Sequence, residues 1–255
     1  MNDNLINSLK ELVIDTGKIA LEIKKLGILS DTKSDGSVVT NADKEISKVI
    51  YEALKALTPE IQIVCEEQPL PKLNGDSFWL IDPIDGTRSY VNGKSTYTIN
   101  IGLIENGTPT IGFIYQPETS KLYYTDQNKQ LRIEQNFKAI SSTFKSPNEG
   151  FNAVIGYYHS NKTTKEFLNQ YSFNKIEAIG SSIKLCMIAE GRADIYPKFG
   201  QTMEWDIAAG HALIKASGGN ILDINGKEIT YGKENFANPH FFACSKNWLS
   251  NVITV

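Results

Sequence analysis

Apolar side chains recur at helical spacing in two segments near the N-terminus. In residues 4–26 they lie three or four positions apart, and Gly27 follows the last of them. The members of this first series are Leu5, Leu9, Leu12, Val13, Ala20 and Ile23. Residues 42–57 repeat the spacing, and Pro59 lies just beyond the series. The pattern therefore predicts two amphipathic helices.

The apolar period then changes to two, which is typical of β-strands. Six short runs predict strands, at residues 61–65, 78–81, 97–104, 110–115, 122–124 and 131–133. The dipeptide Asn106-Gly107 lies between the third and fourth runs, and Asn-Gly between alternating segments favours a hairpin turn. The last four runs together predict an antiparallel meander.

Polar residues 141–150, which include Pro147 and Gly150, predict a crossing between two halves of the chain. Beyond them, strands and helices alternate. We predict strands at 153–157, 193–196, 220–223 and 240–244, and helices at 163–171, 182–189 and 205–216. The prediction is an N-terminal α+β half over residues 1–140 and a C-terminal half of α/β character over residues 141–255.

Composition and charge exclude several classes of protein. Hydrophobic residues make up 41% and charged residues 22% of the 255, as in ordinary globular chains. The formal net charge of −3 gives no bulk electrostatic reason to bind a nucleic acid polymer or anionic lipid. We find neither the apolar core of a signal peptide nor a run of about 20 apolar residues, and therefore predict a cytoplasmic protein without a transmembrane segment.

The three cysteines, Cys65, Cys186 and Cys244, are odd in number and widely spaced. Without a Cys-x-x-Cys pair, neither a zinc ribbon nor a thioredoxin-type site is expected. Each cysteine has apolar neighbours in the sequence, so we predict buried free thiols, as in a reducing compartment.

Residues 79–87 carry the most informative chemistry of the chain. An apolar strand runs into Asp82, and we expect Pro83 to end its hydrogen-bond ladder. Asp85 follows, Gly86 permits a tight path, and Thr87 is predicted to open a short helix. Two carboxylates beside free N–H groups suit a divalent metal and a phosphate together. The structural alternative is two turns in series.

Three further acidic segments each have a structural explanation of their own. Thr40 and Asp43 fit a helix capping box. Glu66 and Glu67 end a predicted strand, so we expect only one of them to face a given site. Asp206 lies in the first turn of a predicted helix, where an acid is favoured by the helix dipole.

All four segments resemble motifs of the inositol monophosphatase superfamily, and along the chain they occur in the family's order. The run Asp-Pro-Ile-Asp-Gly-Thr at 82–87 matches the first signature, and residues 205–212 match the second. Residues 33–43 match an early Lys-x-Asp-x-Ser-Pro-Val-Thr-x-x-Asp segment, with Val38 in place of the usual Pro. Cys65-Glu66-Glu67 matches a Glu-Glu strand end. The resemblance covers essentially the whole chain.

This resemblance implies a layered α+β or α/β sandwich of the order αβαβα. It also implies two to three Mg²⁺ ions, with Thr87 and Asp43 orienting a metal-activated water that attacks phosphorus directly. The metal ligands carried over are Glu66, Asp82, the carbonyl of Ile84, Asp85 and Asp206. Inhibition by lithium is implied as well. In haloacid-dehalogenase-type phosphatases an Asp nucleophile stands two residues before the second Asp, where this chain has Pro83, so we do not expect that mechanism.

The second half resembles CysQ-type 3'(2'),5'-bisphosphate nucleotidases. Residues 180–186 are similar to their Gly-Ser-Ser-Leu-Lys-Phe-Cys segment, and residues 196–200 to their Tyr-Pro-Arg-Phe-Gly run, although Gln201 replaces a Pro. The implied reaction is hydrolysis of adenosine 3',5'-bisphosphate to AMP and phosphate, with 3'-phosphoadenylyl sulfate as a second substrate. The predicted substrate-binding residues are Glu66, Ile84, Asp85, Gly86, Thr87, Ser181, Lys184, Lys198 and Asp206.

Two alternatives stay open at this stage. Inositol monophosphate is the competing substrate, and a non-catalytic protein that binds metal or phosphate is the competing class. The resemblance also implies a monomer or a homodimer, and allows a peripheral place at the cytoplasmic face of the inner membrane. The sequence assigns no role to Arg88.

Overall fold

The structure, a computed structural model, describes residues 3–33, 36–142, 150–157 and 161–252. The helices are α1 (Asp3–Leu26), α2 (Asn41–Leu57), α3 (Thr87–Val91), α4 (Lys162–Leu168), α5 (Ile183–Ala189), α6 (Glu204–Ala216) and α7 (Lys246–Val252). The first strands are β1 (Ser30–Thr32), β2 (Val38–Thr40), β3 (Gln62–Cys65), β4 (Ser77–Asp85), β5 (Thr98–Glu105), β6 (Thr108–Gln116), β7 (Lys121–Thr125), β8 (Leu131–Gln135) and β9 (Lys138–Ala139). The later strands are β10 (Phe151–Gly156), β11 (Phe173–Ile179), β12 (Ile195–Lys198), β13 (Asn220–Asp223) and β14 (Phe241–Cys244). Both predicted N-terminal helices are therefore confirmed.

In the described residues, β3 to β9 form a seven-stranded sheet in chain order. All neighbours are antiparallel except β3 and β4, which are parallel. The predicted hairpin joins β5 to β6, because Glu105 pairs with Thr108 and leaves a two-residue turn. Asn106 and Gly107 have φ angles of 50° and 70°. Two positive φ angles are what a type I′ turn needs, so the Asn-Gly signal is confirmed.

A second sheet has the strand order β11-β10-β12-β14-β13 among the residues described. β10 pairs in parallel with β11 and β12, whereas β14 pairs antiparallel with β12 and β13. This mixed sheet belongs entirely to the second half of the chain. Parallel neighbours require crossover connections, which α4 and α5 supply.

The helices complete five layers around the two sheets. α1 and α2 cover one face of the seven-stranded sheet, α5 and α6 lie between the sheets, and α4 and α7 cover the far face of the second sheet. Neighbouring residues of β4 serve different cores: Ile81 packs toward α1 and α2, and Leu80 toward α5 and α6. Trp248 of α7 belongs to a third, smaller core. The predicted αβαβα order is confirmed.

The predictions lack the β1–β2 pair, β9, β11 and α7. β11 carries Asn174, Lys175 and Glu177, so it shows no apolar run. Among the described strands it lies at the edge of its sheet and pairs with β10 alone, which lets its polar side chains reach water. The predicted crossing at 141–150 falls mostly on residues 143–149, which are outside the described residues, and the boundary between residues 140 and 141 stays a prediction.

The cysteines are confirmed as free and buried thiols. In the described ranges, no helix is both long and apolar enough to cross a membrane.

Helix α6 approaches the backbones of β5 and β6 very closely. A Cβ atom on Gly112 would lie 2.2 Å from the carbonyl oxygen of Ala209, and one on Gly102 would lie 2.9 Å from the Cβ of Ala208. Because the nearest atoms at Gly112 are backbone, they cannot move aside as a side chain could. This contact fixes the height of α6 above the sheet.

We predict that Gly112→Ala lowers the free energy of unfolding by about 1–3 kcal/mol or more, because the added methyl overpacks the contact. Urea denaturation measures the change. Gly75→Ala is the matched control, since a Cβ there meets no atom within 4 Å. Equal stability of the two variants would contradict the observed contact.

Candidate active site

Asp82 and Asp85 face the same side of the sheet because β4 contains a bulge. Asp82 pairs with Asn100 and Asp85 with Thr98, so four residues of β4 oppose three of β5. In a regular strand, residues three apart face opposite sides, and the extra residue corrects this. Pro83 lies within the bulge, where its missing N–H breaks no regular pairing. The prediction that Pro83 ends the ladder is therefore wrong, since the strand continues to Asp85.

Gly86 and Thr87 turn the chain from β4 into α3. Gly86 has a φ of 90°, and a Cβ there would lie 2.9 Å from the carbonyl oxygen of Thr96. Only glycine suits both constraints. The Oγ1 of Thr87 lies 3.0 Å from the carbonyl oxygen of Ile84 and 3.5 Å from Oδ1 of Asp43. The two predicted catalytic residues thus meet, next to the predicted carbonyl ligand.

Asp43 serves the helix and the site at once. Its Oδ2 accepts hydrogen bonds from the backbone N–H and the hydroxyl of Thr40, at 2.8 and 2.5 Å, which completes the predicted capping box. Its Oδ1 faces Thr87. Burial raises the pKa of Asp43 to about 6, and the nearby Glu67 and Glu66 add to the shift. The capping box is therefore confirmed, and Asp43 also lies beside Thr87, so the cap does not exclude the predicted site role.

Glu66 and Glu67 share one cation. Lys33 Nζ lies 3.0 Å from Oε1 of Glu66 and 2.6 Å from Oε1 of Glu67. Both glutamates lie in the turn after β3, so strand alternation does not separate them as predicted. Only Glu66 also lines the cavity described below.

Asp206 reaches the site from the first turn of α6. Its Oδ2 accepts a 2.8 Å hydrogen bond from the backbone N–H of Met203. The start of α6 is fixed further by the fully buried Glu204, which accepts 2.9 Å hydrogen bonds from the backbone N–H groups of Gly232 and Lys233. Burial raises the pKa of Asp206 to about 8, with repulsion from Asp85 as the next cause.

Asp82 lies at the centre of the negative charge. Burial raises its pKa well above the ordinary value, and further increases come from Glu66, Asp85, Asp206 and Asp43, in that order. Within the described residues, its buried Oδ1 has no hydrogen-bond partner. An unpartnered carboxylate oxygen among like charges is costly unless a cation neutralises it.

This donor set suits a hard divalent cation such as Mg²⁺, which prefers carboxylate and carbonyl oxygens. Among the described residues, no group of three or more acidic, histidine or cysteine side chains has the geometry of a formed metal site. The oxygens of Glu66 and Asp206 are turned instead toward Lys33 and the N–H of Met203. Donor chemistry, charge and the unpartnered oxygen of Asp82 nevertheless fit the ion.

A cavity of about 340 Å³ opens above these acids. Of the predicted substrate-binding residues, its walls contain Glu66, Asp85, Gly86, Thr87, Ser181, Lys184, Lys198 and Asp206. Asp43, Asp82 and Ile84 are almost fully buried and are not among the lining residues. Arg88 and Gln201 also line the cavity.

Lys184 and Lys198 bring buried positive charge into the same cavity. Both are less than a tenth exposed. Lys184 Nζ donates to the carbonyl oxygen of Ser181 at 2.5 Å and lies 5.2 Å from the ring centre of Tyr196. Burial lowers the pKa of Lys184 to about 8 and also lowers that of Lys198, whereas Asp85 and Asp206 oppose both shifts.

Sequence reasoning missed two polar residues beneath the acids, Asn100 and Ser182. Asn100 is buried in β5, and Ser182 precedes α5. The backbone N–H of Ser182 and the side chain of Asn100 both favour the ionised form of Asp85 and so lower its pKa, although burial raises that pKa overall. A polar residue at an inward position of the apolar strand 97–104 was the available signal for Asn100.

Comparisons with known proteins agree with this geometry. The inositol monophosphatase family profile matches residues 1–253. The 3'(2'),5'-bisphosphate nucleotidase CysQ of Salmonella typhimurium is 38% identical over 214 residues, covering 82% of this chain and 86% of the relative. The enzyme of the same name from Escherichia coli strain K12 is 34% identical over 246 residues, covering 93% and 98%.

A solved structure agrees as well. The crystal structure of CysQ from Bacteroides thetaiotaomicron, described as a bacterial member of the inositol monophosphatase family, superposes with a TM-score of 0.81 at 26% identity. The match covers 96% of this chain and 98% of that one. With the fold and the whole-chain matches in accord, the chain belongs to the inositol monophosphatase family.

Proposed function

We propose that this protein is a magnesium-dependent phosphatase that hydrolyses adenosine 3',5'-bisphosphate to AMP and phosphate. One observation carries the proposal: a cluster of carboxylates and two buried lysines face the same cavity. The relatives named 3'(2'),5'-bisphosphate nucleotidase support the substrate. The related 3'-phosphoadenylyl sulfate is a second proposed substrate.

Magnesium would be held by Glu66, Asp82, the carbonyl oxygen of Ile84, Asp85 and Asp206. Two to three ions are proposed for this ligand set. When bound, Mg²⁺ lowers the pKa of a coordinated water and stabilises negative charge on the phosphoryl and leaving oxygens. The same charge would relieve the repulsion that surrounds Asp82.

Thr87 and Asp43 are proposed to orient the attacking water. The hydroxyl group of Thr87 donates its proton toward the carbonyl oxygen of Ile84 and Oδ1 of Asp43. Its lone pairs are then available to accept a hydrogen bond from a water in the cavity. Asp43 is held rigidly by Thr40, so this hydroxyl keeps its direction. The backbone N–H groups of Gly86 and Thr87 are proposed to contact the scissile phosphate.

Lys184 and Lys198 are proposed to receive the second phosphate. Inositol monophosphate, the competing substrate, has a single phosphate and would leave both buried cations without a second anion. A bisphosphate supplies that anion through charge-assisted hydrogen bonds. The lysines therefore favour the nucleotide. A protein that only binds metal or phosphate would need Asp43 for the helix cap but would not need the contact between Thr87 and Asp43.

Release of inorganic phosphate tests this proposal directly. We expect the highest kcat/KM with adenosine 3',5'-bisphosphate, compared with inositol 1-phosphate and fructose 1,6-bisphosphate. Activity should vanish with a chelator and return with Mg²⁺. In the same assay, Lys198→Met should lower kcat/KM for the nucleotide about 10- to 100-fold, since a charge-assisted hydrogen bond contributes about 1.5–3 kcal/mol.

Inositol 1-phosphate is the internal comparison for that variant, because its turnover should change little. Lys162→Met, at a highly exposed position of α4, is the matched control. Lys198 is the better position for this substitution, because Lys184 also donates a hydrogen bond to the carbonyl oxygen of Ser181 and its loss would disturb the turn. If the wild type prefers inositol 1-phosphate, the proposed substrate is wrong. If it releases phosphate from none of the three esters, the proposed phosphatase activity is wrong.

Thr87→Ala and Asp43→Asn should each lower kcat by on the order of 10²-fold or more if the pair orients water. Substrate affinity should change less. Loss of a cap alone costs about 1 kcal/mol of stability and leaves kcat intact. Measuring kcat and Tm on the same variants separates the two roles, and an unchanged kcat would remove both residues from the mechanism.

The raised pKa of Asp206 predicts how the stability of the metal-free protein depends on pH. Its pKa is raised from about 3.9 in the unfolded chain to about 8. Between these values the folded state binds more protons, so the free energy of unfolding falls as pH rises, on the order of 1 kcal/mol per pH unit. Mg²⁺ should counteract the fall because it binds the ionised carboxylates.

The measurement is Tm at about pH 6 and about pH 7.5, for wild type and Asp206→Asn, with chelator and with Mg²⁺. Without metal the variant should be the more stable protein, by a margin that grows with pH. With Mg²⁺ the wild type should gain more. A pH-independent margin, or equal gains from Mg²⁺, would count against the assignment.

A further inference from the structure

Asn100 occupies an unusual position directly beneath the carboxylate cluster. It is 1% exposed and stands opposite Asp82 in the antiparallel pairing of β4 and β5. Opposite residues of such a pair place their Cβ atoms about 4.5–5.5 Å apart on the same face. Thr98, two residues earlier in β5, stands opposite Asp85 in the same way. One face of β5 thus presents Thr98 and Asn100 to the two acids.

A chain of hydroxyl hydrogen bonds leads to the carbonyl end of the Asn100 amide. Ser182 Oγ donates to Asn100 Oδ1 at 2.9 Å. Because that hydroxyl has a single proton, Thr98 Oγ1 must donate to Ser182 Oγ, from which it lies 2.8 Å away. The carbonyl end of the amide is therefore used by Ser182, and the Nδ2 end is left for the acids.

The amide nitrogen of Asn100 and one carboxylate oxygen of Asp82 lack hydrogen-bond partners in the described part of the chain. Both atoms, Nδ2 of Asn100 and Oδ1 of Asp82, are buried. A buried donor and a buried acceptor on facing residues are each costly alone and complementary together. A packing role would not require an amide here, because an apolar side chain would fill the same space without these costs.

Ser182 connects this amide to the other half of the cavity. It follows Ser181, whose carbonyl oxygen accepts a hydrogen bond from Lys184. Ser181 has a φ of 55°, so the turn has a constrained shape. Because Ser182 donates to Asn100, movement of this turn would also shift the Asn100 side chain.

We propose that Asn100 is a positioning residue that aligns Asp82 and Asp85 for metal binding and ties them, through Ser182, to the turn that carries Lys184. The inference rests on the proposed metal-dependent function. Asn100 acts through the two acids and touches neither metal nor substrate. The consequence is that Asn100 and Ser182 together hold both the metal ligands and the turn at residues 181–184 that carries Lys184.

Isothermal titration of the protein with Mg²⁺ alone, and then with inorganic phosphate at saturating Mg²⁺, tests this role without turnover. Asn100→Ala should weaken Mg²⁺ binding about 10- to 100-fold, as loss of a partner behind a metal ligand commonly does. Ser182→Ala keeps its backbone N–H and should weaken Mg²⁺ binding less and phosphate binding more. The double variant should lose less Mg²⁺ affinity than the sum of the single losses, because the two residues act in one chain.

Thr125→Val is the matched control. Thr125 is equally buried in the same sheet, and its hydroxyl accepts a hydrogen bond from the N–H of Gly112 instead of facing the acids. It should lower Tm with Mg²⁺ affinity unchanged. If Asn100→Ala does not fold, Ser182→Ala and the control still decide the question.

Wild-type Mg²⁺ affinity in a folded Asn100→Ala, or in Ser182→Ala when Asn100→Ala does not fold, would overturn the positioning role and leave the proposed function standing. Additive losses in the double variant would overturn the connection through Ser182. Failure of the wild type to bind Mg²⁺ would overturn the proposed function and this inference together.

Discussion

Repulsion among carboxylates that are withdrawn from water is the constraint on which this structure depends. Asp82 is surrounded by four other acids, and burial alone already disfavours its charge. A buried ion without compensation costs several kcal/mol. The protein supplies partial compensation from Lys33, Lys184 and Lys198 and from backbone N–H groups at Asp85 and Asp206. These groups do not compensate the charge of Asp82 fully, since its Oδ1 has no hydrogen-bond partner among the described residues.

The same constraint explains why the site is assembled from distant parts of the chain. A single strand or helix could not concentrate these acids, since its own geometry spreads side chains over several faces. β4 supplies Asp82 and Asp85, the N-termini of α2 and α6 supply Asp43 and Asp206, and the turn after β3 supplies Glu66. Asp43 and Asp206 are each held by a hydrogen bond at the N-terminus of their own helix, whereas Glu66 is held by Lys33 from a distant part of the chain. Rigid elements thus carry groups that would otherwise separate.

Close packing between α6 and the first sheet brings the two halves of the cavity together. The acids of β4 belong to the first half of the chain, whereas Lys184, Lys198 and Asp206 belong to the second. The backbone contact between Gly112 and Ala209 sets the distance across which opposite charges face each other. A cavity that carries both carboxylates and buried lysines suits a substrate with two anionic groups of which only one reacts. Selectivity for such a substrate would arise from buried cations that a monoester leaves unpaired.

Local patterns in the sequence determined a large part of this protein. The helical period of residues 4–26, the Asn106-Gly107 turn and the Thr40–Asp43 capping box depend on near neighbours, so the sequence predicted them correctly. The acidic motifs identified the family, which the whole-chain match confirms. Tertiary structure decided what depends on partners far along the chain. The bulge that aligns Asp82 with Asp85 exists through pairing with β5. The two glutamates share Lys33 across a gap of more than 30 residues. Asn100 meets Ser182 only because the turn before α5 lies against β5. No local pattern encodes these contacts, since each is fixed by the packing of whole layers rather than by neighbouring residues.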